Sequence, residues 1–244
     1  MTDNLIPDYL QPALMRLEST RAAHLENARL MDETATAIAR AVEQKTELEQ
    51  ENGSDTSAWR AAFRAGGAVL TGELKQRRIE QIARRELAQE CGNLMETLEF
   101  ESDRLKAACD STARAYRQAH HTVMSLYAEH ELDIALRETC AAIVRAMRLQ
   151  VLVLQNPLAN TTGHQGYTEP ETAVIHQVKS WLERKIKDGH INLKDEPVLQ
   201  KTGLSASSLP HMKYGIAATP GQRRLWQEKM DKRESDLRAR GLLS

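Results

Sequence analysis

Three cysteines, seven prolines, twelve glycines and ten aromatic residues are all that the 244 residues hold, and each scarcity removes a class of answers. Cys91, Cys109 and Cys140 are odd in number and lack Cys-x-x-Cys spacing, which excludes a disulfide framework or a zinc ribbon and fits a reducing cytoplasm. So little glycine and so few aromatics exclude collagen-like and all-β architectures. Charge of one sign is missing too: 33 Lys and Arg face 34 Asp and Glu, for a net −1, so global basicity gives no argument for nucleic acid. No apolar run approaches membrane-spanning length, and Met1 to Leu10 carries Asp3 and Asp8 without a basic stretch before an apolar one, so neither a membrane span nor a secretory signal is expected. What recurs instead is Ala, Leu, Glu, Arg and Gln, the composition of long helices. The fold class expected is all-α.

The prolines fall at 7, 12, 157, 170, 197, 210 and 220, leaving nothing between Ala13 and Asn156 that strongly breaks a helix. This divides the chain into an extended long-helix region, 1–155, and a proline-punctuated helical region, 156–244. In the first, Leu10, Leu14, Leu17, Ala28, Met31, Ala35, Ile38 and Val42 form a 3/4-spaced seam interrupted by Arg21 and His24. It predicts a helix from Pro12 to Glu51, a stop at Asn52-Gly53-Ser54, and a short element around Trp59 and Phe63 ended by Gly66-Gly67. A second pattern starts near Thr71, with Leu87, Cys91, Leu94, Leu98, Leu105, Ala108, Ala115, Ala119 and Leu126 on one stripe. Its phase shifts through Ala128-Glu129-His130-Glu131, and Leu136, Cys140, Ile143 and Met147 carry a new stripe to about Leu154. The shift reads as a bend or short break; at 1.5 Å per residue an unbroken helix over 72–155 would run roughly 125 Å, so extension and folding back are the two options, and the drift with the shift near Glu129 favours at least one fold-back, giving an elongated antiparallel bundle or arm. Beyond it, residues 156–167 read as a loop, Thr168 as the cap of a helix over 170–187, Leu193 to Tyr214 as loop and short turns, and Thr219-Pro220 as the start of a terminal helix ended by Gly241.

The two ends differ in sign. Residues 1–52 hold 5 basic and 10 acidic side chains, and residues 156–244 hold 14 and 10. Solvated helix faces explain this blandly; head-to-tail attraction between copies, or docking on an acidic partner, explains it functionally. No catalytic, cofactor-binding or metal-ligating set emerges. Gly66-Gly67-Ala68-Val69-Leu70-Thr71-Gly72 lacks the Gly-Lys-Ser/Thr ending of a phosphate loop. His120 and His121 diverge by roughly 100° around a helix and cannot share an ion, so they read as surface or packing residues. Lys75, Arg77, Arg78, Arg84 and Arg85 form a basic stretch without interleaved aromatics and offset by Glu73, Glu80 and Glu86, a weak case for nucleic acid. Trp181, Tyr214 and Trp226 are the large side chains of the C-terminal third, candidates either for its small core or for self-association.

Long strings of the chain carry a resemblance: Ile6-Pro7-Asp8-Tyr9-Leu10-Gln11-Pro12-Ala13-Leu14, Ala22-Ala23-His24-Leu25-Glu26-Asn27-Ala28-Arg29, Leu126-Tyr127-Ala128-Glu129-His130-Glu131-Leu132, Asn156-Pro157-Leu158-Ala159-Asn160-Thr161-Thr162-Gly163-His164 and Ala239-Arg240-Gly241-Leu242-Leu243-Ser244. Through them the sequence resembles, end to end, the capsid size-determination (Sid) proteins of satellite bacteriophages. That resemblance implies an external scaffold, not an enzyme, working in the host cytoplasm on the outer surface of procapsids. Its implied partners are the helper phage's major capsid protein and further copies of itself in a homo-oligomeric cage that redirects the capsid protein to a smaller icosahedral shell. No membrane and no nucleic acid are implied. The alternative from the residues alone is a helical coiled-coil adaptor or a nucleic-acid-binding regulator of a mobile element.

Overall fold

The computed structural model describes residues 6–156, 169–216 and 219–243, and among them every regular element is helical. The helices are α1 (Gln11–Ala65), α2 (Gly72–Glu138), α3 (Cys140–Leu154), α4 (Pro170–Asp188), α5 (Pro197–Thr202) and α6 (Pro220–Ala239), with 3-10 turns at Asp8–Leu10 and Leu193–Asp195. The all-α expectation holds. The chain forms two compact units, and each takes segments from both sides of the 155/156 divide: residues 1–17 with 118–207, and residues 18–117 with 208–244.

In the second unit α1 and α2 run antiparallel, because facing partners descend on one helix as they climb on the other: Thr56 with Gln81, Lys45 with Gly92, Met31 with Ser102, Asn27 with Thr112. They are joined at Gly66-Gly67, as the sequence predicts. Gly67 has φ +61°, and Ala68, unusually for a residue with a Cβ, has φ +63°. Two expectations fail. α1 does not stop at Asn52-Gly53-Ser54 but continues to Ala65. The residues that could have capped a new helix turn inward instead: Ser54 donates to the Glu51 carbonyl, Thr56 to Asn52 and Ser57 to Ser54. Gln81 on α2 reaches across to Thr56, and Trp59 Nε1 donates to the Leu74 carbonyl at 2.9 Å, so the partner helix holds this stretch in place.

The second failure concerns the fold-back favoured near Glu129; the short break also expected there is present but comes later, at Thr139. α2 runs through Glu129 to Glu138. Thr139 keeps αR angles (φ −104°, ψ −24°) and donates its amide to the Ala135 carbonyl at 3.0 Å, so the helix is broken for one residue and is not reversed. The chain reversal is the α1–α2 turn.

The seam also slips. Leu10, Leu14, Leu17, Ala28 and Met31 are buried as the spacing predicts, but Ala35 and Val42 are exposed and Thr34 and Ala41 are buried in their place. Consecutive three-residue steps from 28 to 31 to 34 are an inserted stammer that moves the seam from Ala35 to Thr34 and from Val42 to Ala41, while Ile38 stays half-buried. Thr34 is accommodated because its hydroxyl donates to the Leu30 carbonyl at 2.8 Å. On α2, Ala119 is buried as expected, whereas Leu87, Leu94 and Leu126 are exposed and Phe100, Cys109, Ala113, Tyr116 and Val123 are buried. A helix covered on more than one side buries an arc wider than a single stripe.

α6 begins as predicted, with Thr219 and Gln222 forming a reciprocal capping box and Pro220 in the first turn, and it ends before Gly241 at φ +73°. α4 starts at Pro170 behind Glu169, which makes no side-chain cap bond. The expected loop from 157 and the Thr168 cap lie outside the described residues.

Candidate functional site

Four places collect the chemistry that the helices leave available, and among the described residues none of the four is an enclosed cleft. In the second unit, Phe100 on α2 is 2 % exposed and packs with Met230 and Leu237 of α6, with Trp226, Leu242 and Leu243 against the cluster. Around this apolar patch α6 pairs its cations with acids of α2: Arg233 with Asp103 at 2.9 Å and Glu99 at 3.4 Å, Arg240 with Glu96 at 2.6 Å. The Arg240 guanidinium hydrogen-bonds the Glu96 carboxyl and holds it below the usual range. Part of the positive charge of the C-terminal segment is therefore matched inside the unit. Sequence reading offered only solvent, another copy or another partner for it.

The same unit carries a strap over 208–216, held by side chains of α1 and α2. His24 is fully buried; its Nε2 faces the Pro210 carbonyl at 2.8 Å and so must carry a hydrogen, while Nδ1 lies 2.9 Å from Thr112 Oγ1. Arg117 donates to the Met212 carbonyl at 3.1 Å, and the Gly215 amide donates to Asp110 at 3.0 Å. His211 lies 2.8 Å from Asp32, hydrogen-bonds the Tyr214 hydroxyl and stacks on its ring. Burial, then the nearby Cys109, pushes the Tyr214 phenol up. Burial likewise raises the Cys109 thiol, the opposite of what a nucleophile needs.

The first unit has a polar cluster and an apolar face. Tyr9 rests on the His130 ring, centroids 4.2 Å apart, and the Tyr127 hydroxyl donates to Glu196, whose carboxylate holds the Tyr127 proton well above the ordinary phenol range. His120 is buried and its Nε2 meets the Gly203 carbonyl at 3.1 Å, whereas His121 is exposed; the pair divides as packing and surface residues. The apolar face belongs to α3 and α4. Twelve of the fifteen residues of α3 are apolar, yet none is buried. α4 packs beside it through Val174, and an open groove between them is lined by Val144, Met147, Val151, Leu152, Val174 and Ile175.

The three aromatic candidates are separated. Trp181 stands 49 % exposed on α4 beneath Lys185, whose Nζ is 5.9 Å from its ring centre. Tyr214 sits half-buried in the strap, and Trp226 lies against the Phe100 cluster. The basic stretch of α2 is drawn into the hairpin: Arg84 pairs with Asp55 at 2.6 Å and Arg78 lies over Trp59 at 5.5 Å. Among the described residues no group of three His, Cys, Asp or Glu could hold a metal, and no helix is long and apolar enough to cross a membrane. Sequence reading missed the burial of His24 and the bare face of α3. The first gave no signal beyond an interrupted seam; the second was legible in a helix with almost no polar residues.

No protein-family model matches the chain. It is 64% identical to Glycoprotein 3 of Enterobacteria phage P4 over 244 residues, the full length of both. Its fold is similar to a chain of a solved structure, the satellite phage P4 procapsid including size determination (Sid) protein, with a TM-score of 0.84 and 64% identity; the match covers 96% of this chain and all of that one.

Proposed function

The chain belongs to the capsid size-determination family of satellite phages, and from that premise we propose that it is an external scaffold that sets the size of the shell another phage's capsid protein builds. The observation that carries this is the end-to-end identity with the P4 protein joined to the fold shared with the size-determination chain of the P4 procapsid. In this reading copies of the chain join on the outside of a procapsid made from the helper's major capsid protein, in the host cytoplasm, and form a closed cage. The cage favours the more sharply curved of two subunit arrangements, so size selection is a difference in stability between two products. No catalytic step and no cofactor belong to it.

The physical character of the chain supports the reading. Its chemistry is spread over long helical faces, as a lattice component needs. A contact of only millimolar strength is worth about 4 kcal/mol, yet contacts closed into a cage act at high effective concentration, so the assembly holds while each joint stays reversible. A closed cage needs at least two kinds of self-contact, one making a symmetric node and one linking nodes. We place Trp181, Tyr214 and Trp226 among the candidates for these joints, Trp181 first because its ring is the most open.

Co-expression with the helper's major capsid protein, followed by electron microscopy of particle diameters, tests the function. Smaller shells coated externally are the expected result. Diameters equal to those made without the chain, or the chain lodged inside the particles, would refute it.

A further inference from the structure

We propose that the turn joining α1 to α2 docks shallowly on an anionic phospholipid surface, an interaction beyond the scaffold reading and independent of it. Of the ten residues 61–70 only Arg64 has a polar side chain, and all ten but Phe63 are exposed. Val69 and Leu70 stand 62 and 52 % exposed at the end of the hairpin. The backbone beside them is internally satisfied. The amides of Gly66, Gly67, Ala68 and Val69 donate to the carbonyls of Ala62, Arg64, Phe63 and Gly66 at 3.0 to 3.3 Å, so these four N–H groups need no water and can enter an apolar medium at little cost. Ala68 keeps a methyl at φ +63°, where glycine would adopt the same turn without strain.

Charge behind the turn follows the depth order of a lipid interface. Between Asp55 and Glu80 the chain carries Arg60, Arg64, Lys75, Arg77 and Arg78 against Glu73 alone, five less one for a net +4 on a chain whose total is −1. None of the five is in an ion pair among the described residues, whereas Asp55, the acid before them, is taken by Arg84 at 2.6 Å. At 1.5 Å per residue the five sit roughly 2–9 Å along the helices from the ends that meet the turn, the depth at which apolar side chains reaching the acyl boundary leave Lys and Arg among the phosphates.

Other occupants fit this layout less well. A nucleic acid would meet the cations but leave Val69 and Leu70 in water, and the aromatic pair offers no ring for a base: Trp59 is stacked on Phe63 with centroids 5.2 Å apart, has Arg78 over it and donates its Nε1 hydrogen to the Leu74 carbonyl. A protein pocket takes large rigid anchors, and the turn presents glycine, alanine and two aliphatic side chains instead. A fluid lipid surface needs no such match of shape.

The test is cosedimentation of the full chain with vesicles of equal parts phosphatidylglycerol and phosphatidylcholine, against vesicles of phosphatidylcholine alone. The wild type binds the anionic vesicles, is released as salt rises and ignores the neutral ones. Arg60→Gln with Lys75→Gln weakens binding about 30-fold, and Val69→Ser with Leu70→Ser weakens it at least about tenfold; all four positions are exposed, and far-UV circular dichroism stays unchanged. Leu70→Trp gains a fluorescence component that brominated acyl chains quench, which adsorption by charge alone would not give. A wild-type chain that stays in the supernatant, variants that sediment as the wild type does, or a bound Leu70→Trp chain without quenching would each overturn the inference. If the serine pair abolishes small shells while the wild type ignores vesicles, the turn is a protein contact and the inference falls. Both variant pairs are expected to make small shells with the helper's capsid protein, so shell diameter tests the scaffold reading and vesicle binding tests this one.

Discussion

Replacing Phe100 with alanine separates the attachment of α6 from the pairing of α1 with α2. The ring is 2 % exposed and is the α2 contribution to the cluster that Met230 and Leu237 complete. Truncating such a side chain costs about 3–5 kcal/mol, transfer and cavity terms combined. The ion pairs beside it cannot make up the difference: Arg233 and its partners are between 32 and 54% exposed, and pairs of that kind are worth about 0.2–1 kcal/mol each. The loss therefore falls on the docking of α6 before it falls on the hairpin, whose facing contacts at Thr56, Lys45 and Asn27 lie elsewhere. Hydrogen exchange resolves the two. Amides of 220–239 in Phe100→Ala should exchange roughly 10²–10⁴ times faster than in the wild type, while those of the hairpin over 40–60 and 75–90 keep their protection. Equal loss across both, or no loss in α6, would refute the argument that this apolar cluster is what holds the terminal helix.

Arg233→Ala should lower stability by less than about 1 kcal/mol, with the difference shrinking as salt rises, measured by urea denaturation at two ionic strengths. Thr219→Ala removes the hydroxyl of the capping box and should cost about 1 kcal/mol, read as faster exchange confined to the first turn of α6. His24→Ala leaves the Pro210 carbonyl and Thr112 hydroxyl without their ring partner and should cost about 2–3 kcal/mol, with exchange rising across 208–216. The Tyr127 phenol holds its proton more tightly folded than unfolded, so its contribution is intact below the ordinary phenol pKa near 10 and fades as pH climbs beyond it. Ultraviolet titration should show several late tyrosines, Tyr127 among them with Tyr9 and Tyr214, and Glu196→Gln should bring one of them back toward the ordinary range; an unchanged number of late tyrosines in that variant would exclude Glu196 as the cause.

Local chemistry was legible where it acted alone. Gly66-Gly67 ends α1, Thr219-Pro220 starts α6 and Gly241 follows its end, because a positive φ or a side-chain cap acts within a few residues whatever lies opposite. Asn52-Gly53-Ser54 misled because the same hydroxyls that cap a helix can bond back into one, and the choice was made by Gln81 from the facing helix. Ala35 and Val42 carry the right character for a seam, and only the stammer, set by which face meets α2, turned them outward. Phe100, His24 and Asp110 owe their environments to residues 105 to 186 positions away in the chain or close to it, and no spacing rule reaches that far. Of the candidate surfaces, the α3 face needs no distant partner to be recognised, since its twelve apolar residues of fifteen exceed what one packed side requires.

Both compact units close with late chain. The unit holding the hairpin lacks its α6 and its strap until residues 208–244 have been made, and the other waits for the segment up to 207 to return to Leu10, Leu14 and Leu17. A nascent polypeptide that has already paired α1 with α2 still shows Phe100 to water and has nothing to receive the His24 ring. The hairpin unit cannot close until the last of its chain has been made, and a chain cut short within 208–244 leaves the helices of that unit half-covered where the completed chain covers them.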